Sequence, residues 1–288
     1  MAKVHTAMSL AKATVESKTL AQDPVKKTLT ETDEQIMTRL ANRFEILEDM
    51  TRAVKKGAVR AMIVSGAPGV GKSFGVEKVL GKHGLMADIA QDEKLKKYEI
   101  VKGAMSAIGL YSKLYEFSDS KNILVFDDCD SVLLDDLSLN ILKAALDTSK
   151  KRTISWNTDS RLLRSEGVPN SFEFKGGAIF ITNINFQNIK SKKLQDHLAA
   201  LESRCHYIDL TIHTEREKML RIKQIVSDGM LNEYDFTEAQ TTAIIEFIDA
   251  NKKRLRELSL RTVLKTADLV RSFPGDKWQR VAQISLMK

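Results

Sequence analysis

Short apolar runs alternate with helical patterns along most of the chain. Runs of five or six residues with branched or aromatic side chains predict strands. These runs are 61–65, 98–102, 122–127, 178–183 and 206–210. Apolar positions at helical spacing predict helices between them, and these helices fall near 74–84, 106–116 and 138–148. Short apolar strands that alternate with helices predict a parallel sheet covered by helices on both faces.

The pattern before the first predicted strand divides into two parts. Residues 1–30 have weak periodicity, scattered lysines and Pro24, and we expect an arm or tail there. From residue 30 a helix start is followed by apolar residues at helical spacing. These apolar residues are Ile36, Leu40, Phe44 and Leu47. The pattern predicts a helix that leads into the first strand.

The pattern also changes beyond Thr214, where the strand signals stop. Three helical patterns remain, at about 214–228, 237–253 and 259–273. We therefore expect an α/β core over 31–213 and a second, all-helical domain over 214–288.

Composition and charge exclude several classes of protein. The chain has 288 residues and a net charge of +7. It lacks the roughly 20 consecutive apolar residues that cross a bilayer, and its N-terminus lacks the apolar core of a signal peptide. We expect a protein of the cytoplasm, or of the host cytoplasm if it is viral, with no membrane partner. Cys129 and Cys205 are far apart without metal-ligand spacing, and we expect buried thiols. The positive net charge is compatible with contact to nucleic acid but does not require it.

The segment after the first predicted strand has the spacing of a phosphate-binding P-loop. It has the sequence Gly-Ala-Pro-Gly-Val-Gly-Lys-Ser, from Gly66 to Ser73. Its glycines let the backbone adopt positive φ and turn N–H groups toward an anionic phosphate. Lys72 can then reach the β- and γ-phosphates, and Ser73 can offer a hydroxyl to Mg²⁺. The predicted contacts to a nucleoside triphosphate are Gly66, Ala67, Pro68, Gly69, Val70, Gly71, Lys72, Ser73 and Phe74.

A second candidate element is the strand that ends in Asp127 and Asp128. An apolar strand that ends in an acid can place a carboxylate beside the P-loop, where Asp127 can hold Mg²⁺. Asp128 can polarise an attacking water, although an Asp must then reach where a Glu normally lies. Acidic strand ends can also be solvated caps, so the spacing leaves both roles open.

Taken together, these motifs resemble those of AAA+ ATPases. The resemblance rests on the P-loop, the acid pair in Val125-Phe-Asp-Asp-Cys-Asp130, the strand that ends in Thr182-Asn183 and the helical C-terminal region. It covers about residues 35–275. It implies an αβα sandwich with a five-stranded parallel sheet and a helical lid. It also implies a protein that forms a homo-oligomer and hydrolyses ATP with Mg²⁺. Asn183 matches the strand-end Asn that orients the nucleophilic water in AAA+ ATPases. Alternatively, Asn183 only caps the end of its strand.

Two arginines also stand where the family uses them. The segment Leu201-Glu-Ser-Arg-Cys205 is similar to the Ser-Arg-Cys motif of clamp loaders, which makes Arg204 a candidate arginine finger for a neighbouring subunit's ATP. A surface ion pair is the alternative for Arg204. Arg261 resembles the second sensor, which contacts the γ-phosphate, and could instead be a packing arginine.

The chain departs from clamp loaders between the last predicted core helix and the sensor strand. Residues 152–156 and 171–175 alternate as strands, so we expect an inserted β-hairpin over 151–177 with Arg161 and Arg164 near its tip. The hairpin could contact a threaded strand or polypeptide, or it could cover a sheet edge with a solvated tip. The loop after Lys102 carries no aromatic residue, which weakens the case for threading of a polypeptide.

The resemblance leaves the remodelled partner open. Three features favour DNA or a DNA-replication complex as the partner. They are the Ser-Arg-Cys segment, the positive net charge and the arginines of the hairpin. The basic cluster of Lys252, Lys253, Arg254 and Arg256 can be a solvated face or a nucleic-acid patch. The alternatives are remodelling of a polypeptide and a slow ATP-dependent regulatory switch.

Overall fold

The computed structural model describes residues 31–90 and 97–288, with side chains for all of these except 82–90. The arm predicted over 1–30 lies outside the described residues. The strands are β1 (Ala61–Ser65), β2 (Tyr98–Lys102), β3 (Ile123–Asp127), β4 (Thr153–Ser155), β5 (Ser171–Glu173), β6 (Gly177–Thr182) and β7 (His206–Asp209). The helices are α1 (Asp33–Lys55), α2 (Lys72–Ala90), α3 (Ala107–Glu116), α4 (Asp130–Leu134), α5 (Asp136–Ala145), α6 (Arg161–Ser165), α7 (Lys192–Glu202), α8 (Glu215–Ser227), α9 (Glu238–Asn251), α10 (Leu260–Ser272) and α11 (Lys277–Leu286).

Five strands form one parallel sheet in the order β2-β3-β6-β1-β7. All five predicted strands are present, each within one residue of its expected bounds. The α/β architecture with a five-stranded parallel sheet is therefore confirmed. Because β6 lies between β1 and β3, the carboxyl ends of these three strands are neighbours at one edge of the sheet.

Helices cover both faces of the sheet. Successive strand residues point to opposite faces, so neighbouring residues of one strand pack against different helices. Ile63 of β1 belongs to one buried cluster together with residues of α3, α5 and α7. Its neighbours Met62 and Val64 belong to the other cluster, together with residues of α1 and α2. Burial on both faces explains why these strands are apolar runs without alternation.

The helix predicted before β1 is confirmed as α1. Thr32 and Gln35 form a capping box, in which each side chain accepts a hydrogen bond from the other residue's backbone N–H. The predicted apolar residues form its buried stripe, and they are Ile36, Leu40, Phe44 and Leu47. This stripe packs against α2 and against α8 of the C-terminal helical region.

The C-terminal region is helical throughout its described length, as expected. Helices α8–α11 share a third buried cluster, in which the rings of Phe247 and Trp278 meet edge to face at 5.1 Å. Three of the helices were predicted, and α11 was not. Its start at Asp276 has no side-chain cap, and its buried residues are Trp278 and Ala282.

The insertion before β6 is a short antiparallel pair of β4 and β5. Each strand has three residues and is shorter than predicted, and the connection between them contains α6. The Tyr111 ring of α3 packs against Trp156 and Phe172, and its hydroxyl donates to the Pro169 carbonyl at 2.9 Å. The insertion is therefore anchored on α3, while Arg161 and Arg164 stay exposed.

The two thiols are not equally buried. Cys129 is buried, its Sγ donates to the Val101 carbonyl at 3.3 Å, and burial raises its pKa. Cys205 is half-buried, and burial raises its pKa to about 12. Thiols with raised pKa values carry little thiolate at neutral pH and are poor nucleophiles. Over residues 31–90 and 97–288, no helix combines the length and apolar character needed to cross a bilayer.

Candidate functional site

The carboxyl ends of β1, β6 and β3 meet at one edge of the sheet. Ser65 at the end of β1 is in register with Thr182, and Asp127 at the end of β3 is in register with Ile181. Parallel strands end at a common edge, so side chains just beyond these residues converge. The segment 66–73, the acid pair and Asn183 all lie there, as the strand pattern predicted.

The loop after β1 has the backbone conformation that its glycines permit. Gly69 has φ of 70° and Gly71 has φ of 101°, and α2 begins immediately afterwards at Lys72. A Cβ atom on Gly69 would lie 2.7 Å from Ser259 Cβ, a distance that real Cβ contacts do not show. The Leu260 backbone N–H donates to the Gly69 carbonyl at 2.9 Å. The loop is therefore in direct contact with the start of α10.

Lys72 is the buried cation of the site. Its Nζ donates to the carbonyl oxygens of Gly66 and Ala67 at 2.7 and 2.9 Å, and to Asn183 Oδ1 at 2.7 Å. Burial lowers its pKa to about 8, against the opposing influence of the carboxylates of Asp128 and Asp127. The amine is thus positioned at the strand ends, and its pKa is lowered toward neutral pH.

Ser73 and Asp127 form a pair of oxygen ligands. Ser73 Oγ, in the first turn of α2, donates to Asp127 Oδ1 at 2.9 Å, and Asp127 is buried. A hydroxyl and a carboxylate side by side are hard oxygen donors of the kind that Mg²⁺ prefers. These two residues could hold a divalent ion beside the loop.

Asp128 contacts Asn183 directly. Asn183 Nδ2 donates to Asp128 Oδ1 at 2.8 Å, and both residues are exposed. Asp128 has φ of 54°, and its backbone N–H donates to the Ile181 carbonyl at 3.1 Å. Asp and Asn tolerate this left-handed region better than longer side chains do. The backbone therefore gives a local reason for an Asp at a position where a Glu was expected.

Arg261 approaches the site from the helical region. It lies in the first turn of α10, directly after Leu260, and its charge is one of the causes that lower the pKa of Lys72. Arg261 is exposed, so the alternative of a buried packing arginine is wrong.

Arg204 lies away from this assembly. It precedes β7, whose last residue Asp209 is in register with Ser65. Arg204 lies in the turn before β7, and β7 itself runs about 10 Å from His206 to Asp209. Arg204 Nη1 donates to the Ala200 carbonyl at 2.5 Å, and its buried Nε has no hydrogen-bond partner among the described residues. The hydrogen bond holds the side chain against the end of α7, at the opposite end of β7 from Asp209.

The remaining predicted loop residues differ in exposure. Val70 is buried in the same cluster as α1, Ala67 is half-buried, and Pro68 is exposed. Phe74 is 67% exposed in the first turn of α2. A contact between Phe74 and a nucleotide stays a prediction.

Sequence reasoning missed three polar side chains near the loop. Lys102 Nζ lies 3.4 Å from Asp127 Oδ2. Ser259 Oγ and Glu257 Oε1 are buried without a hydrogen-bond partner among the described residues, and both lie beside Gly69. Lys102 ends an apolar strand as Asp127 does, which was a usable signal. The positions of Ser259 and Glu257 depend on the docking of α10 and had no local signal.

Comparison with known proteins identifies a phage relative. Over 267 residues the chain is 35% identical to an uncharacterized 36.7 kDa protein in the nrdC-mobD intergenic region of Enterobacteria phage T4. The alignment covers 91% of this chain and 79% of the phage protein. No protein-family model matches the chain. At this identity and coverage, the chain belongs to the same protein family as the phage T4 protein.

Proposed function

We propose that the chain is an AAA+ ATPase module, which binds ATP and hydrolyses it with Mg²⁺. The observation that carries this proposal is the convergence of Lys72, Ser73, Asp127 and Asn183 at one edge of the parallel sheet. A glycine-rich turn without a ligand would not require a buried lysine, an oxygen pair and an amide to meet beside it.

The residues present fit a magnesium nucleotide. The turn with positive φ at Gly69 and Gly71 can direct backbone N–H groups toward phosphate oxygens, and α2 begins there with its positive dipole end. Lys72 would contact the β- and γ-phosphates, while Ser73 and Asp127 would hold the ion. When bound, Mg²⁺ would neutralise charge that develops on the phosphate oxygens.

Asp128 and Asn183 would act on the attacking water. The Asp128 carboxylate can accept a proton, and the Asn183 amide has both a donor and an acceptor for orienting a water molecule. Their mutual hydrogen bond of 2.8 Å fixes the two side chains relative to each other. Proper orientation of a reacting group is a large part of catalysis when the protein supplies mainly position and charge.

The base and ribose would lie between the loop and the helical region. A narrow cleft of about 10 Å³ lies there, so the base and ribose would enter it only if α10 moved away from the loop. It is lined by Lys218, Arg221 and Ser259 together with apolar residues, which include Val70, Ile212, Leu258 and Leu260. The unpartnered Ser259 Oγ and Glu257 Oε1 are suitable partners for polar atoms of a nucleotide. Since α10 contacts the loop through Leu260, a nucleotide in this cleft would shift α10 and Arg261 together.

Arg204 supports a homo-oligomer. Because the length of β7, about 10 Å, separates it from the level of its own loop, its proposed role requires the ATP of a neighbouring copy. Hydrolysis would then depend on assembly. The relationship to a phage protein supports action in a host cytoplasm.

The affinity for nucleotide should fall as pH rises through the pKa of Lys72. This pKa is about 8 in the protein, because burial disfavours the charged amine. Phosphate favours the charged amine, so binding takes up a proton above pH 8, and affinity should be about tenfold weaker at pH 9 than at pH 7. Calorimetric titration with ADP and ATP across this range measures the effect.

Two variants serve as controls for the pH profile. Lys72→Met should bind nucleotide weakly at every pH and should lose the pH dependence. Lys78→Met changes an exposed lysine of the same helix that pairs with Glu48, and its profile should match that of the unmodified protein. A flat profile between pH 7 and 9 in the unmodified protein would show that Lys72 does not contact phosphate.

A basic cleft favours DNA as the remodelled partner. The cleft has a volume of about 270 Å³ and includes Ala67 and Pro68 of the loop in its wall. Five cations from three separate segments line it, against the two acids Glu215 and Glu257. The cations are Lys218, Lys252, Lys253, Arg256 and Lys288. Cations that converge from distant parts of the chain are suited to a phosphate backbone, and the contact with the loop offers a route to the ATP site.

Neutralising two of these lysines should weaken DNA binding in a salt-dependent way. Lys253→Gln combined with Lys288→Gln should reduce the slope of log affinity against log salt by about one for each lysine, because fewer counterions are released. Fluorescence anisotropy with labelled single- and double-stranded DNA measures the slope. Lys150→Gln with Lys151→Gln, an exposed pair outside the cleft, is the matched control and should leave it unchanged. Equal slopes in both double variants would show that DNA does not bind in this cleft. If unfolded polypeptide stimulates ATP turnover and DNA does not, DNA is not the remodelled partner.

A further inference from the structure

Lys102 lies where it can act on the proposed metal ligand. It is the last residue of β2, and β2 pairs with β3 so that Lys102 and Asp127 are in register. Lys102 Nζ is 3.4 Å from Asp127 Oδ2 and 3.2 Å from Glu77 Oε1. The lysine is 60% exposed, while the Asp127 side chain is 6% exposed. An exposed cation therefore lies between one buried and one half-buried carboxylate.

The two oxygens of Asp127 have different neighbours. Oδ1 accepts the hydrogen bond of Ser73 at 2.9 Å, and Oδ2 faces Lys102. A divalent ion held by Ser73 and Asp127 would lie close to the ammonium group. The two cations would repel each other and would share one carboxylate.

We propose that Lys102 competes with the divalent ion for Asp127 and so sets the ion concentration that the site requires. Lys102 is a positioning residue here, because it acts through Asp127. Glu77 gives the ammonium group a second partner, to which it can remain bound when the ion holds Asp127. The inference rests on the proposed function, in which Ser73 and Asp127 hold Mg²⁺.

Variants of the two partners should change ion affinity in opposite directions. Lys102→Met removes the competitor, and the Mn²⁺ affinity of the protein with ADP should rise about tenfold. Glu77→Gln removes the second partner of Lys102 and leaves Asp127 as its main anion, so Mn²⁺ affinity should fall severalfold. Lys102→Arg keeps the charge and should stay near the unmodified protein.

The readout is the free Mn²⁺ signal in electron paramagnetic resonance, measured on the full chain with ADP and without turnover. The same ADP concentration without protein is the reference, because ADP itself chelates Mn²⁺. The double variant Lys102→Met with Glu77→Gln separates competition from a direct effect of the Glu77 charge. If Glu77 acts through Lys102, the double variant should bind Mn²⁺ nearly as tightly as Lys102→Met alone. A similar loss from Glu77→Gln in both backgrounds would contradict the action through Lys102.

Mn²⁺ binding with ADP separates an error about Lys102 from an error about the nucleotide site. If the unmodified protein binds Mn²⁺ only with ADP, and Lys102→Met binds it equally or less tightly, the competition is wrong and the site remains. If neither protein binds Mn²⁺ with ADP and circular dichroism shows both folded, the proposed function is wrong as well.

Discussion

Replacing Arg204 by alanine should lower ATP turnover about a thousandfold or more, with nucleotide affinity changed by no more than a few-fold. An arginine from a neighbouring subunit neutralises charge that spreads over the phosphoryl oxygens in the transition state, and it adds little to ground-state binding. Phosphate release and calorimetric titration with ADP measure the two quantities separately. Arg280→Ala changes an exposed arginine of α11 and is the matched control, with turnover expected to remain unchanged.

Mixing two inactive variants tests whether Arg204 acts between subunits. Arg204→Ala keeps an intact loop, and Lys72→Ala keeps an intact arginine. In a mixed oligomer, some Arg204→Ala sites would face the arginine of a Lys72→Ala neighbour, and those sites should regain turnover. No recovery in oligomers shown to be mixed, or substantial turnover by Arg204→Ala alone, would mean that Arg204 is not the finger.

Replacing Asp127 by asparagine should lower turnover by at least a hundredfold and raise the Mg²⁺ concentration needed for half-maximal rate. The substitution keeps the size of the side chain and removes the charge, while Asp127 lies buried beside Ser73. Metal-ion stabilisation of transition-state charge contributes several kcal/mol, which corresponds to this loss of rate. Phosphate release measured over a range of Mg²⁺ concentrations gives both quantities.

A neighbouring acid provides the control for Asp127. Asp130 accepts the hydrogen bond of Thr182 Oγ1 at 2.7 Å and belongs to the same acidic segment. Asp130→Asn keeps an acceptor for Thr182, so turnover and Mg²⁺ dependence should both stay within a few-fold. If the two variants lose activity equally, the loss reflects the charge of the segment and not a ligand at Asp127.

The sheet and the edge that carries the site could be predicted because their signals are local. The strand around Ile63 is apolar on both faces, and the glycines before Lys72 specify a turn with positive φ. The rule that parallel strands end at a common edge placed Asp127, Asn183 and the loop on that edge, and the strand order, with β6 between β1 and β3, made them neighbours. The strands and the loop themselves depend on residues close together in sequence.

The rest of the site depends on how distant segments dock. The close approach of Ser259 to Gly69 requires the position of α10 on the core, and no periodicity encodes it. The contact between Lys102 and Asp127 depends on the pairing of β2 with β3. The left-handed backbone of Asp128 is set by its hydrogen bond to the Ile181 carbonyl, so the choice of Asp over Glu had no explanation before the fold was known.

Four helices of the described residues were not predicted. Helix α7 has eleven residues and a Ser191 cap, so its local signal was usable. Helix α11 begins without a side-chain cap, and α4 and α6 have only five residues each. Such short helices have few intrahelical hydrogen bonds and are held by contacts with the rest of the protein. Leu163 of α6, for example, is 1% exposed within the main core cluster.

Phosphate release from ATP by the purified chain, with and without Mg²⁺ and compared with Lys72→Ala, tests the proposed ATPase activity most directly. Release should saturate with ATP, require Mg²⁺ and be lost in Lys72→Ala while the variant stays folded by circular dichroism. Release that persists in folded Lys72→Ala, or an unmodified chain that neither binds nor hydrolyses ATP, would show that the chain is not an ATPase with its site at Lys72.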